Sequence, residues 1–152
     1  MERVVLATLR WDVAAVTPQD FIPHFLRTLG ELKDGDADTG DFLATLRRHS
    51  DTLVALCVCD SRFLGTPPSL VAAAALNSAL RGLKAKSAGE QSIMTSALAT
   101  LCQTDVAVLQ CCTELIEGAL RERLRNGAQE EKDGDIEDER ASTPTDLREI
   151  DF

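Results

Sequence analysis

From Phe63 to Leu80 the chain carries no charged side chain, and from Leu70 to Leu80 a helix would have none on any face. A helix that is apolar or small all round must be enclosed by other elements. Ala72 to Ala75 keep it thin, so neighbouring backbones can come close. Thr66-Pro67-Pro68-Ser69 reads as its start, since proline in the first turn loses no hydrogen bond, and Leu80 or Gly82 as its end. Pro67-Pro68, Gly65 and Asn77 make the run a poor membrane span. The chain must therefore supply enough further helices to wrap this one.

It has the length to do so. The 152 residues suit one domain, and 44% of them are apolar. Strand patterning is nearly absent, tyrosine is missing, and leucine and alanine dominate, so the body reads as all-α. Glu2 to Leu9 is a short first helix with Val5, Leu6 and Leu9 at helical spacing and no N-cap before it. Thr17-Pro18-Gln19-Asp20 opens a second: Thr17 is placed to accept from first-turn amides and Asp20 to face the positive dipole end. Its apolar face is Phe21, Ile22, Phe25, Leu26 and Leu29. Pro23 predicts a kink or a shortened first turn, and Gly30 predicts the end.

After a polar loop, Glu31 to Asp41, a third helix carries Phe42, Leu43, Leu46, Leu53, Val54 and Leu56, with Arg47, Arg48 and Asp51 toward water. Gly89 to Leu101 predicts a fifth helix with Ile93, Met94, Ala97, Leu98 and Leu101 on its stripe. Thr104-Asp105 caps a sixth, whose stripe is Val106, Leu109, Cys112, Leu115, Ile116, Ala119 and Leu120. Arg121, Arg123 and Arg125 complement its negative end. The apolar pattern stops at Asn126-Gly127.

Charge divides the chain there. The net charge is −9. Residues 126–152 hold a balance of −7 and the first 125 residues only −2. Such a charge-rich segment cannot offset the entropy of ordering, so 126–152 is expected to be a disordered acidic tail. The acidity argues against nucleic acid and against an anionic membrane surface as partners. Met1 to Trp11 lacks a signal-peptide pattern, and five cysteines form an odd set best read as reduced, mostly buried thiols. The expected setting is soluble and intracellular.

Catalytic and metal constellations fail on spacing. Asp34-Gly35-Asp36-Ala37-Asp38 begins like a calcium loop, but the glycine and glutamate it then needs fall on Thr39 and Thr45. Cys57 and Cys59 point apart on a helix and lack zinc spacing, as do Cys111 and Cys112. His49 and Cys57 would lie about 12 Å apart along one helix, too far for a nucleophile and its base, and His49 reads as a partly buried polar residue. No metal, cofactor or catalytic residue is expected, and the chain reads as a non-enzyme. The terminus is different: Thr143-Pro144 is a target for a proline-directed kinase, with Leu147, Ile150 and Phe152 as apolar anchors beside it.

The motifs also have a family look. Leu9-Arg10-Trp11-Asp12-Val13 with Thr17-Pro18-Gln19-Asp20-Phe21-Ile22 resembles the junction between the two cyclin boxes of D-type cyclins. Arg48-His49-Ser50-Asp51-Thr52-Leu53 resembles a second-box helix, Pro67-Pro68-Ser69-Leu70-Val71 the start of the central helix, and Ser142 to Asp151 a terminal degron. The resemblance implies a cyclin-like five-helix box around a central buried helix, preceded by one helix left over from a first box. Its domains are then 1–16 (last first-box helix and linker), 17–125 (C-terminal box) and 126–152 (acidic tail).

It also implies a regulatory subunit for G1 cyclin-dependent kinases of the 4/6 class, promoting the G1/S transition. Location in nucleus and cytoplasm follows. So does a degron of Thr143, Pro144, Thr145, Asp146, Leu147, Ile150 and Asp151, read when phosphorylated by the substrate receptor of a ubiquitin ligase. Most of the first box has no counterpart in the sequence, so a second reading stays open. In it the chain is a truncated cyclin-fold interaction module that binds partners without activating a kinase, with Val5, Leu6 and Leu9 as its partner-facing stub.

Overall fold

The computed structural model describes residues 1–32, 39–83 and 88–133. Six α-helices are seen among them: α1 (Glu2–Thr8), α2 (Pro18–Leu32), α3 (Thr39–Val58), α4 (Pro68–Gly82), α5 (Ala88–Leu101) and α6 (Val106–Asp133), with a 3-10 turn at Ser61–Phe63. The chain divides into two units, Met1–Arg121 and Glu122–Phe152. In the second unit only the last turns of α6 are described. The first holds the rest.

The charge-free helix sits where its composition requires. Every residue of α4 from Val71 to Leu80 is buried, and α2, α3 and α5 pack directly on it. Its consecutive alanines, Ala72 to Ala75, are wholly enclosed, and their small size is what admits three neighbours so near one axis. Ile22, Phe25, Leu26 and Leu29 of α2 face it, with Leu46, Val54 and Cys57 of α3, Met94 and Leu98 of α5, and Leu109 and Ile116 of α6. Helices α2 to α6 thus make a five-helix box with α4 inside, and α1 precedes it.

The turn into α2 is capped in the reverse sense to the one predicted. The Thr17 carbonyl accepts from Asp20 N–H at 3.1 Å, but its hydroxyl does not accept from the first turn. Its backbone N–H and its hydroxyl both donate to Asp20 Oδ2 at 2.8 Å. That pair of bonds holds the Asp20 carboxyl below its usual range, the backbone donor contributing most. Pro23 does not end the first turn either: α2 runs through it to Leu32. Pro23 and Gln19 both lie on the exposed face, where water can satisfy the Gln19 carbonyl that proline leaves free.

Gly30 is not a C-cap. It lies inside α2, and a Cβ there would stand 3.0 Å from Leu43 Cδ1, so its smallness serves the close approach of α2 and α3. Two other helix ends use left-handed residues without glycine. After α1, Arg10 N–H bonds Ala7 O and Trp11 N–H bonds Leu6 O, with φ of 51° and 60°. After α5, Gln103 N–H bonds Thr100 O and Thr104 N–H bonds Ala99 O, with Gln103 at 52°. Both are Schellman closures.

The sixth helix departs most from its predicted limits. It begins as expected, with Leu109 N–H on the Asp105 carbonyl, but continues beyond Asn126-Gly127 to Asp133. Ala128-Gln129-Glu130-Glu131-Lys132 are strong helix formers, and helix needs no apolar stripe to persist where propensity is high. Arg121, Arg123 and Arg125 therefore stand inside the helix, away from its negative end. On the stripes, Ile93 (60% exposed) and Leu115 (44%) turn outward, while Thr95 and Thr113 are buried.

Candidate functional site

Asn77 occupies the centre of the charge-free helix and is fully buried. An unpartnered amide there would cost several kcal/mol, on the order of 2 to 7. It is partnered on both sides. Thr95 Oγ1 of α5 donates to its Oδ1 at 2.8 Å, and its Nδ2 donates to Thr113 Oγ1 of α6 at 3.1 Å. Both hydroxyls also reach carbonyls of their own helices, Gln91 O and Leu109 O, at 2.8 Å. This chain of polar groups fixes the rotation of α5 and α6 about α4. A polar residue inside an otherwise apolar run was its sequence signal, with threonines on the flanking helices as the available partners.

One turn later the same helices open. Arg81 of α4 donates to Glu117 of α6 through Nη1 at 3.3 Å, both side chains being about a third exposed at 33% and 29%. On one side of this pair lies a groove of about 510 Å³ between α3, α4 and α6, mostly apolar, lined by Thr52, Leu53, Ala79, Gly82 and Leu120 with His49 at its edge. On the other lies a polar trough of about 430 Å³, lined by Gln91, Ser92, Thr95, Ser96 and Gln110. Arg81 borders both. This two-part cleft has no linear motif. It is assembled from four helices, α3, α4, α5 and α6, so spacing along the chain cannot reveal it. His49, predicted to be partly buried, is exposed because the α3 face that carries it opens on this groove.

Of the five thiols, Cys57 and Cys112 are buried and Cys102 is half-buried, while Cys59 and Cys111 are exposed, so the expectation of mostly buried thiols holds only in part. Burial pushes Cys57 up to about 12, with Cys112 and Asp60 adding to the effect. Burial likewise raises Cys102 and Cys112 to about 11. Thiols held protonated at neutral pH are poor nucleophiles and poor metal ligands. No cluster of histidine, cysteine or acidic side chains suited to a metal occurs among the described residues. No single helix among them is long and apolar enough to cross a membrane.

Val5, Leu6 and Leu9, the proposed stub, sit on or just after α1, a helix with no buried residue. Val5 and Leu9 are about half exposed, and Val4, Trp11, Val13 and Val16 more so. The structure does not bring this strip into the core. The tail residues Thr143, Pro144, Thr145, Asp146, Leu147, Ile150 and Asp151 lie outside the described residues, as do Asp34, Asp36 and Asp38.

Helices packed around a buried, alanine-rich one define an all-α box. The family described as Cyclin, C-terminal domain matches residues 16–138, and the chain belongs to the cyclin family. It is 38% identical over 157 residues to the G1/S-specific cyclin-D2 of Rattus norvegicus, covering 99% of this chain and 52% of the rat protein. It is 40% identical to the G1/S-specific cyclin-D2 of Gallus gallus, over 98% of this chain and 52% of that protein. To the G1/S-specific cyclin-D1 of Mus musculus it is 36% identical, over 100% of this chain and 53% of that protein. The chain spans about half the length of these relatives.

Proposed function

We propose that the chain acts as a non-catalytic regulatory subunit, binding a cyclin-dependent kinase of the 4/6 class to promote passage from G1 to S. The observation that carries this reading is the similarity to G1/S-specific cyclins D1 and D2 over nearly the whole chain. Mixing the purified chain with that kinase and measuring both complex formation and phosphorylation of a retinoblastoma-type substrate tests it. Binding with stimulation is the expected result, and no binding refutes it.

Turnover is the second part of the proposal. Phosphate on Thr143 adds roughly 1.5 to 2 negative charges to an already acidic segment. The ubiquitin-ligase receptor that reads it must present basic residues around Pro144, Thr145, Asp146, Leu147, Ile150 and Asp151. Thr143→Ala should lengthen cellular half-life and shift the chain from cytoplasm toward nucleus. An unchanged half-life removes the degron.

A second reading is favoured by one observation: the apolar strip Val4, Val5 and Leu9 is exposed. Here the chain is an interaction module that binds partners without activating a kinase. Kinase binding without stimulation, reversed when Val5 and Leu9 are made polar, selects it.

A further inference from the structure

Helix α6 is held to the box differently from its neighbours. The backbones of α2, α3 and α5 come close to α4, whereas α6 comes as near to no other helix. Its inward stripe of Leu109, Cys112, Thr113, Ile116 and Ala119 is buried, but neither flank is closed. Glu117 and Leu120 line the groove of about 510 Å³ that separates it from α3. Val106 and Gln110 line the trough of about 430 Å³ that separates it from α5. Two polar links tie it to α4: Asn77 to Thr113 at 3.1 Å, which is buried, and Arg81 to Glu117 at 3.3 Å. The second is partly exposed and therefore weak. Gly118 weakens α6 from within, since glycine inside a helix is less favourable than alanine. No close neighbour demands it, because a Cβ there would meet nothing within 4 Å. The chain enters α6 through the turn at Cys102–Asp105, where it changes direction by 104° and Gln103 takes a left-handed φ of 52°. As the last helix of the box, α6 can leave without unthreading any other.

We propose that α6 is a strap: it opens as one cooperative unit about the Cys102–Asp105 turn while α2 to α5 stay folded, uncovering the face of α4 that carries Asn77 and Arg81. Units that open below the free energy of global unfolding are those with the fewest close contacts. The freed helix melts, because most helical stability comes from packing. With α6 away, the groove and the trough, which share Arg81 as a wall, join into one channel along α4. Access to the central helix is thus set by this opening, whether or not a kinase is bound.

Native-state hydrogen exchange of the full chain, followed at single amides by NMR over a series of low urea concentrations, tests this. Corrected for intrinsic rates, amides from Leu109 to Leu120 should exchange at least about tenfold faster than those from Val71 to Leu80, and with one shared urea dependence. Two substitutions separate strap opening from global unfolding. Ile22→Val lies on α2, which packs on α3, α4 and α5. It should speed exchange in α4 about fivefold and leave α6 unchanged, because the box is intact whether the strap is closed or open. Gly118→Ala should slow α6 and α4 alike by about fourfold, because α6 is melted in both kinds of opening. Equal protection of α6 and α4, or equal acceleration of both by Ile22→Val, overturns the proposal, since α6 would then open only with the whole fold. Protection that declines steadily toward the far end of α6, with no shared urea dependence, also overturns it, since the helix would merely fray. Should Ile22→Val fail to fold, the ratio of exchange rates in the unmodified chain and the Gly118→Ala result decide.

Discussion

Removing the amide of Asn77 isolates what the buried polar chain is worth. Asn77→Ala loses two neutral hydrogen bonds, to Thr95 and Thr113, at roughly 1 kcal/mol each. It also leaves a void of about 40 Å³, which at about 24 cal/mol per Å³ adds ~1 kcal/mol. No orphan penalty follows, because both hydroxyls retain their own helix carbonyls at 2.8 Å. The sum is about 3 kcal/mol, a large share of the stability of an ordinary domain. Asn77→Leu loses the same bonds but fills the space, so its cost should fall to about 2 kcal/mol. Urea unfolding followed by circular dichroism measures both. A double-mutant cycle of Asn77→Ala with Thr113→Val should return a coupling of about 1 kcal/mol. An alanine variant within about 1 kcal/mol of the parent, or a leucine variant as damaging as alanine, refutes the reasoning, since either means the amide is not the link between α4 and its neighbours.

Three further outcomes follow from the same structure. Gly30→Ala should leave unfolding free energy within about 0.5 kcal/mol of the parent, the helix-propensity gain offsetting the displaced Leu43 tip, whereas Gly30→Leu should cost about 2 kcal/mol or more by overpacking. Asp20 has a folded-state pKa below its ordinary 3.8, so its contribution is present above that value and lost as pH falls through the folded one. The gap in unfolding temperature between parent and Asp20→Ala should therefore be constant from pH 7 to 5 and shrink as pH falls below the ordinary carboxylate range. Cys57, Cys102 and Cys112 are raised from 9.0 to about 12, 11 and 11, so the folded state holds three protons that the unfolded state has released between about pH 9 and 11. Stability should fall there by about 1.4 kcal/mol per pH unit per thiol, and Cys57→Ala should reduce the slope by about a third.

What the chain alone decided is the set of helices and the identity of the innermost one. A stretch from Leu70 to Leu80 without charge can lie nowhere but inside, whatever surrounds it, because water is a poor solvent for every face it has. The starts at Pro18 and Pro68 were equally legible, since proline and capping residues act within one turn. Tertiary structure decided the rest, wherever meaning depends on a residue far along the chain. Gly30 looks like a helix end until Leu43 is seen beside it. Ile93 and Leu115 fit their stripes, but three-dimensional packing left them outside and took Thr95 and Thr113 in, because Asn77 required partners. The Arg81 cleft belongs to no segment at all: α3, α4, α5 and α6 each contribute to its walls, and a cavity is a property of the space between helices that no periodicity within one of them encodes.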